Sequence, residues 1–382
     1  MAELTYREAV SRAIAQEMER DPSVYFIGED VAAAGGVFKT TEGLLERFGP
    51  SRVRDTPISE QAIIGAVMGA AMNGLRPVAE LMFSDFFAVC WDLIANQIAK
   101  TRYMTNGQVA LPLVIRTANG GGVRFGAQHS QSVEGWAMAI PGLKVVVPST
   151  PVDMIGLFAA AVRDPDPVIV VEPKVLYASK GEVPDGEIVD RLGSANVVRT
   201  GDDVTICALG AMVPKAFEAA ERLATDGIDA EVIDVRSLVP LDVTTILDSV
   251  AKTGRFVTVE ESPRLCGWGA EVASIVAEER FFDLDGPLVR ITTPHLPLPA
   301  ADALEDLAIP SPPASRGTRR GSVAGRRWTR APAPSTRGSG SPSSTREVGS
   351  IGTSIRTRRA CTSSRARSHS SPRRPPSSCG PE

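Results

Sequence analysis

The chain has 382 residues, 43% hydrophobic side chains and a net charge of −4, a composition typical of a globular protein with about two or three domains. Its five cysteines show no CxxC pair and no metal-type spacing, which argues against a disulfide framework or a zinc site. Because no apolar run reaches the roughly 18 residues that span a bilayer, and the first residues do not resemble a signal peptide, we expect a soluble, unprocessed, cytoplasmic protein.

The first half of the chain alternates helical and strand-like patterns. Thr5 and Glu8 have the spacing of a capping box ahead of an amphipathic stretch that runs to Met18. Strands are predicted at 24–27, 78–82, 111–116, 143–147 and 167–171, and helices at 61–73, 85–104 and 151–163. Strands that alternate with helices predict a doubly wound parallel sheet, here within a domain at 1–180.

A second alternating unit follows a Pro- and Gly-rich passage at 173–187, which predicts a linker. Its strands are predicted at 204–209, 230–235, 255–260 and 288–292, and its helices near 214–225, 242–252 and 269–280. The predicted fold class is therefore α/β, with a doubly wound domain followed by a smaller α/β domain at 190–310.

The last 72 residues, 311–382, differ sharply from the rest of the chain. They contain 15 Arg, no Lys and two acidic residues, whereas residues 1–310 contain 26 basic and 43 acidic residues. This segment also lacks Leu, Phe, Met, Tyr and Asp, so it cannot bury enough apolar surface to offset the cost of ordering. We expect a disordered tail, of the kind that marks an interaction segment or a segment outside the fold.

The most suggestive stretch for chemistry is DTPISE at 55–60. A strand is expected to end at Asp55, Pro57 turns the chain, and Ser59 can cap the following helix. Glu60 would then lie in the first helical turn, where the N-terminal partial charges favour a carboxylate at the ligand-binding edge of the sheet. The alternative is a surface residue that only complements the helix dipole. The Gly- and Ala-rich helix beyond it indicates either a close partner or tight packing inside the domain.

Four other residues are candidates for a site. His129 follows the Gly-rich segment 119–126 and is either a proton donor and acceptor or an exposed loop histidine. Glu29 ends the first strand at the same expected edge of the sheet. Met82 and Phe86 belong, with Phe83 and Phe87, to an apolar run that is either core or a surface for a flat heteroaromatic ligand.

The sequence contains no GxxxxGK[ST], HExxH or GxSxG motif, and no GxGxxG after a strand. At GED (28–30), DTPISE (55–60), GLRPVAELMF (74–83), AQHSQ (127–131), PGLKVVVPSTP (141–151) and EPKVLY (172–177) it resembles beta subunits of the thiamine-diphosphate-dependent decarboxylase component of 2-oxo acid dehydrogenase complexes. The resemblance continues to about residue 310. It implies a pyrimidine-binding domain followed by a transketolase-type C-terminal domain.

The resemblance also implies roles for the candidate residues. Glu60 would hydrogen-bond a ring nitrogen of the cofactor's aminopyrimidine and favour the imino tautomer that deprotonates the thiazolium carbon. Met82 and Phe86 would line the aminopyrimidine pocket, and Glu29 would belong to the polar network around it. His129 would lie at the entrance and assist acyl transfer to a lipoyl group.

The resemblance further implies ions and partners. A structural potassium ion would be bound by backbone carbonyls near Leu113, Ala161, Val162, Asp164 and Asp166. The family's GDG motif followed by Asn is absent, so an alpha subunit is expected to bind the diphosphate and magnesium, in an assembly of two alpha and two beta chains. A lipoyl-bearing acyltransferase is the expected acyl acceptor.

The substrate and the tail leave alternatives open. VAELMFSDF and VVVPSTP are closer to the acetoin and branched-chain types than to the pyruvate type.

The tail resembles a shifted reading frame, and we hypothesise that it is a frameshift product rather than a basic arm for nucleic acid or membranes. Resequencing the DNA at Ser311 and weighing the native protein would test this hypothesis. Alternative functions are a non-catalytic assembly subunit of the same fold and a split transketolase-like half.

Overall fold

The computed structural model describes residues 1–312. The predicted disordered tail and the frameshift hypothesis therefore lie outside the described residues, apart from Ser311 and Pro312. The described chain contains two mainly parallel sheets and a short antiparallel pair formed by β1 (Ala2–Thr5) and β8 (Lys180–Val183).

The first sheet has seven strands. They are β2 (Val24–Gly28), β3 (Val53–Asp55), β4 (Arg76–Phe83), β5 (Val114–Asn119), β6 (Lys144–Val146), β7 (Val168–Pro173) and β12 (Ser237–Val239). Their order is β12-β6-β7-β5-β4-β2-β3, and only β12 runs antiparallel to its neighbour. The central strands β5 and β7 are buried on both faces, as is usual for parallel strands covered by helices.

The second sheet has five strands. They are β9 (Asn196–Arg199), β10 (Val204–Ala208), β11 (Ala230–Asp234), β13 (Phe256–Pro263) and β14 (Val289–Thr293). Their order is β14-β13-β10-β11-β9, and only β9 is antiparallel to its neighbour. This topology confirms the predicted α/β class with two parallel sheets.

Eleven α-helices connect the strands of the described chain. They are α1 (Tyr6–Arg20), α2 (Leu44–Phe48), α3 (Glu60–Met72), α4 (Phe87–Asp92), α5 (Ala99–Met104), α6 (Glu134–Met138), α7 (Pro151–Arg163), α8 (Met212–Thr225), α9 (Val243–Thr253), α10 (Trp268–Glu279) and α11 (Asp302–Ala308). The predicted capping box is confirmed, because the Thr5 side chain accepts from Glu8 N–H and the Glu8 carboxylate accepts from Thr5 N–H.

Three predicted elements differ from the structure. The strand predicted at 111–116 begins only at Val114, because Pro112 has no N–H for the ladder. The helix predicted at 85–104 is divided into α4, a π-helical stretch (Leu93–Ile98) and α5, with a non-helical Cys90 inside α4. The predicted linker at 173–187 contains β8, which pairs with the N-terminal strand β1.

One core cluster spans both sheets. Ile233 and Trp268 of the second unit belong to the same buried cluster as Ile63 and Val145 of the first. Strand β12 also comes from the second unit but adds an edge strand to the first sheet. The two α/β units therefore share a core.

Candidate active site

Candidate residues from four neighbouring strands lie at one edge of the first sheet. Strands β3, β2, β4 and β5 are parallel and adjacent, so the segments that follow them leave the sheet at the same carboxyl edge. Those segments carry Glu60, Glu29, Phe86 and His129, respectively. Doubly wound sheets bind ligands at this edge.

Glu60 is the first residue of α3 and is only 6% exposed. Ser59 occupies the N-cap position, but its side chain makes no capping hydrogen bond, so the predicted Ser59 cap is wrong. Its φ is −169°, whereas Thr5, Thr150 and Asp242, whose side chains do cap helices, have φ of −71°, −129° and −81°. The helix N-terminus is therefore left to interact with an acidic group, and Glu60 is such a group.

Glu29 lies beside Glu60. Its side chain is buried, and its Oε1 has no hydrogen-bond partner among residues 1–312. Burial raises the pKa of Glu29 and the Glu60 charge raises it further, against the opposing effect of the Ser59 N–H that donates to the Glu29 carboxylate. Two carboxyl groups in one buried region favour retention of a proton by one of them.

Helix α4 connects Glu60 with Phe86. Burial raises the pKa of the Cys90 thiol to about 12, and the nearby Glu60 charge adds to this effect. The same thiol donates a weak hydrogen bond to the Phe86 carbonyl, with a sulfur–oxygen distance of 3.7 Å. Glu60 and Phe86 thus belong to one region of the sheet edge.

His129 lies among aromatic rings. Its ring packs edge-on against Phe83 and Phe86, at centroid distances of 4.7 and 5.5 Å. Phe125 and Phe38 each pack edge-on against Phe83 at 5.6 Å. Phe83, the centre of this cluster, belongs to the predicted apolar run, but the resemblance assigned a pocket role only to Met82 and Phe86.

Met82, the other apolar residue expected in the pocket, is half-buried. The side chains packed against the His129 ring are those of Phe83 and Phe86, the neighbours of Met82 in the apolar run. Successive strand residues point to opposite faces, and the register between β4 and β5 shifts between Leu81 and Phe83. A sequence pattern cannot reveal this shift, which decides the face to which Phe83 belongs.

Lys174 is a functional candidate that the sequence analysis missed. It follows β7 at the same sheet edge and is 3% exposed, and its Nζ has no hydrogen-bond partner in the part of the chain that the structure describes. The Nζ lies 5.5 Å from the centroid of the Phe83 ring. Burial lowers the pKa of Lys174 to about 8, and the carboxylates of Glu261 and Asp85 oppose this shift.

A buried ionic cluster links the central strands β4, β5 and β7. Arg116 donates from Nε and Nη2 to the Glu172 carboxylate at 2.7 and 2.6 Å, and from Nη1 to Glu80. The Tyr177 hydroxyl donates to Glu172 at 2.9 Å. Glu80 and Glu172 each interrupt an apolar run, which is a sequence signal for a buried charge but does not show its partner.

Both ends of the Gly-rich loop are anchored by side chains. Asn119 accepts from the Ser84 hydroxyl at 2.8 Å and donates to Glu134 at 3.0 Å. Gln131 donates through its amide to Asp85 at 2.8 Å. Burial raises the pKa of Glu134 to about 7. The loop between these anchors leads to His129.

Several buried polar atoms at this edge lack a hydrogen-bond partner. Most of the unpartnered buried side-chain atoms of the described chain lie there: Glu29 Oε1, Thr56 Oγ1, Asp85 Oδ2, Thr117 Oγ1, Ser130 Oγ, Ser132 Oγ and Lys174 Nζ. Buried polar groups usually have partners, so this concentration fits a region that receives a polar ligand.

The residues expected to bind potassium are already engaged. The Arg76 guanidinium donates to the carbonyls of Val162 and Asp164 at 2.7 and 3.3 Å. The Leu113 and Ala161 carbonyls accept from Val168 N–H and Asp164 N–H. The side chains of Asp164 and Asp166 are paired with Lys144. A potassium ion would compete with Arg76 for two ligands.

None of the helices described within residues 1–312 combines the length and apolar character needed to cross a bilayer.

Two domain families match the sequence. The family "Transketolase, pyrimidine binding domain" matches residues 2–180, and "Transketolase, C-terminal domain" matches residues 193–314. Together with the two observed sheets, these matches confirm the predicted two-domain transketolase-type fold.

Similar proteins are known from bacteria. The beta subunit of acetoin:2,6-dichlorophenolindophenol oxidoreductase of Cupriavidus necator is 48% identical over 318 residues, covering 81% of this chain and 94% of the relative. The 2-oxoisovalerate dehydrogenase subunit beta of Bacillus subtilis is 46% identical over 314 residues, covering 82% and 96%. A solved structure titled "Split gene transketolase, inactive beta4 tetramer" is similar with a TM-score of 0.66 and 27% identity, covering 80% of this chain and 93% of that chain.

Proposed function

The chain belongs to the family of beta subunits of acetoin and 2-oxo acid dehydrogenases, and from this premise we propose that it is the beta half of a thiamine-diphosphate-dependent decarboxylase component. The proposed reaction is oxidative decarboxylation of a 2-oxo acid, or cleavage of acetoin, followed by transfer of the acyl group to a lipoyl domain. The proposed enzyme is active only together with an alpha subunit, which would bind the diphosphate and magnesium.

The observation that carries this proposal is the position of Glu60. A buried carboxylate at the start of a helix, on the carboxyl edge of the pyrimidine-binding domain, suits an N–H of a heteroaromatic ring. Thiamine diphosphate, when bound, supplies the carbon nucleophile that adds to the substrate carbonyl. Glu60 would accept the hydrogen bond of the aminopyrimidine and hold that ring in its proton-accepting form.

Glu29 supports Glu60 electrostatically. Because burial and the neighbouring charge raise the pKa of Glu29, this group retains a proton at higher pH than a free glutamate. One member of the pair can then donate a hydrogen bond while the other accepts one.

His129 would act at the acyl-transfer step. Its edge-on contacts with Phe83 and Phe86 orient the ring, and its partial exposure lets an incoming lipoyl arm reach it. An imidazole so placed can transfer a proton to or from the dithiolane sulfur as the acyl group moves. The aromatic cluster would exclude water from the acyl group.

Helix α3 offers a surface for the alpha subunit. Its sequence is apolar on all sides, yet Ala62, Gly65, Ala66 and Met72 are exposed. A helix of this kind is normally buried all round, so its exposed face indicates a protein partner. Because α3 also begins with Glu60, a chain docked on this face would lie next to the cofactor site.

Replacing Glu60 tests the proposed function. In the full chain co-expressed with its alpha subunit, Glu60→Gln should lower cofactor-dependent decarboxylation by roughly 10²-fold or more, since a neutral amide is a weaker acceptor for a developing ring cation. The measurement is dye reduction with acetoin, branched 2-oxo acids and pyruvate assayed in parallel, which also identifies the substrate.

The matched control is Glu271→Gln, which changes an exposed glutamate in the first turn of α10. It should retain wild-type turnover, because it loses only a helix-dipole contact of about 0.3–1 kcal/mol. Wild-type turnover in Glu60→Gln would remove Glu60 from the mechanism.

The likeness to an inactive split transketolase keeps a second candidate open, a beta chain that assembles alone or serves a transketolase-like enzyme. Thiamine-diphosphate binding by the purified alpha–beta pair, together with an assay of ketose-phosphate transfer, separates the candidates. Cofactor binding with acyl transfer and without ketol transfer supports the dehydrogenase.

A further inference from the structure

Arg124 ties the Gly-rich loop to the last helix of the C-terminal domain. Its guanidinium donates to three carboxylates of α11: from Nε to Asp302 at 2.7 Å, from Nη1 to Glu305 at 2.6 Å and from Nη2 to Asp306 at 2.7 Å. All three acidic side chains of this short helix therefore converge on one loop residue. The Arg124 side chain is 33% exposed and the Glu305 side chain is fully buried, so their pair is partly shielded from solvent, whereas Asp302 and Asp306 are exposed.

Glu305 also holds the loop backbone. Its carboxylate accepts from Gly122 N–H at 3.0 Å and from Arg124 N–H at 3.1 Å, and its side chain is fully buried. Glu261, at the end of β13, accepts from the neighbouring Gly121 N–H. The second domain thus satisfies three backbone N–H groups of the loop, which would otherwise need water or another partner.

The loop lies in direct contact with the second domain at Gly121. A Cβ atom there would approach Leu298 Cδ1 to 2.7 Å and Ile309 Cδ1 to 2.9 Å, so only glycine fits without displacement. Arg124 has a φ of +65°, a conformation that costs energy for a residue other than glycine. The contacts with Glu305 compensate for that cost, which makes the loop conformation dependent on α11.

Arg124 and Glu305 form a clamp on the Gly-rich loop, and the clamped segment continues into the aromatic cluster around Phe83. Phe125, the residue after Arg124, packs edge-on against Phe38 and Phe83 at 6.0 and 5.6 Å. The His129 N–H donates to the Gly126 carbonyl at 3.3 Å, which closes the turn that carries the imidazole. Arg124 and His129 are only five positions apart in this segment. A displacement of the Arg124 backbone would therefore also displace His129.

We propose that Arg124 and Glu305 are positioning residues that let helix α11 set the placement of His129 for acyl transfer to the lipoyl arm. This proposal rests on the proposed function for its catalytic part, whereas its structural part stands on the contacts alone. Neither residue touches the reacting atoms. Their effect is to keep the His129 loop in one conformation.

The test uses the full chain with its alpha subunit and breaks the clamp from each side. Arg124→Asn removes the guanidinium with a residue that tolerates positive φ, and Glu305→Gln keeps the side-chain size of Glu305 but removes its charge. The control is Arg199→Gln, because Arg199 also pairs with two carboxylates, Glu221 and Asp229, but on the outer strand β9 of the second sheet.

Two measurements are expected to change together in both clamp variants. Amide hydrogen exchange of residues 120–131 should accelerate roughly tenfold, because the opening of a local segment depends on its own contacts. The ratio of lipoyl-domain acylation to dye reduction should fall roughly tenfold, since a displacement of about 1 Å misplaces a catalytic group. The double variant should fall by less than the product of the two single effects, because both single variants lose the Arg124–Glu305 ion pair.

Wild-type exchange in the loop of both clamp variants would overturn the clamp. Faster exchange with an unchanged rate ratio would overturn the link to His129. Loss of decarboxylation in the wild-type pair would instead reject the proposed function, and the exchange data would still decide on the clamp.

Discussion

The chemistry proposed for His129 depends on how its ring is held. The ring packs edge-on against Phe83 and Phe86, and the imidazole makes no side-chain hydrogen bond within residues 1–312. Both nitrogens are therefore free to meet a substrate group. Such a histidine matters for proton transfer more than for folding.

His129→Ala should separate the two half-reactions. We expect acylation of a lipoyl domain to slow by roughly 10²-fold, the usual contribution of one general acid or base, while dye-linked decarboxylation falls much less. Single-turnover assays with both acceptors measure the difference. His295→Ala, at an exposed histidine outside the cluster, is the control. An equal loss with both acceptors would contradict a role specific to acyl transfer.

Single-residue prediction succeeded where the local sequence carried the signal. Glu60 was located at the start of a helix because Pro57 and the helical pattern after it define that start. Arg116 and Lys174 were missed, because their surroundings come from distant positions: Arg116 pairs with Glu80 and Glu172, 36 and 56 positions away. Local patterns contain no record of such partners.

Helix α3 is apolar in sequence but leaves one face uncovered. It has the apolar composition of a buried helix, but a Cβ atom built on Gly69 meets nothing within 4 Å. Space for a larger side chain therefore exists in this chain. Such a side chain would be tolerated by the beta subunit and excluded by a partner that packs closely on this face.

Gly69→Leu should accordingly weaken assembly without destabilising the chain. Leucine is a better helix former than glycine by about 0.5–1 kcal/mol, so the melting temperature of the beta chain should stay the same or rise. Association with the alpha subunit, measured by titration calorimetry, should weaken at least about tenfold, since inserted methylenes disturb a close-packed interface. Gly69→Ala is the small-residue control. Undiminished affinity of Gly69→Leu would place the alpha subunit elsewhere.

Prediction of elements succeeded for α7 and missed the short strands β9 and β12. The helix predicted at 151–163 matches α7 residue for residue, because Thr150 and Pro151 mark its start. Strands β9 and β12 have only four and three residues. Their place in a sheet is decided by the neighbouring strand, so the sequence of so short a segment carries too little pattern.

At the scale of the whole molecule, a polar cluster joins the two domains. Asp234 ends β11 of the second sheet and accepts from the Ser149 hydroxyl of the first domain. Arg236, two residues later, pairs with Asp153 and Asp190. This contact between the domains was not predictable, because no local pattern shows which residues of two different sheets pair with each other.

The pH dependence of unfolding should report on this contact. Burial raises the pKa of Asp234 to about 7, and the charge of Asp153 adds to the rise, while the Ser149 and Arg236 hydrogen bonds oppose it. In the unfolded chain the same group has a pKa of about 3.9. The folded state therefore binds this proton more tightly. The stabilisation is complete below about pH 4 and is lost as the pH rises through about 7.

Asp234→Asn should remove this component. The amide stays neutral at every pH, and the Ser149 hydroxyl can reverse its role and accept from it. Relative to wild type, the variant should gain up to about 4 kcal/mol in free energy of unfolding between pH 4 and pH 8, from 1.36 kcal/mol per pKa unit. Denaturant titrations across this range measure the difference, with Asp226→Asn, at a position outside the cluster, as the control. Parallel curves for wild type and Asp234→Asn would mean that Asp234 is already ionised when the chain is folded, and that Arg236 and Ser149 outweigh the burial of this carboxylate.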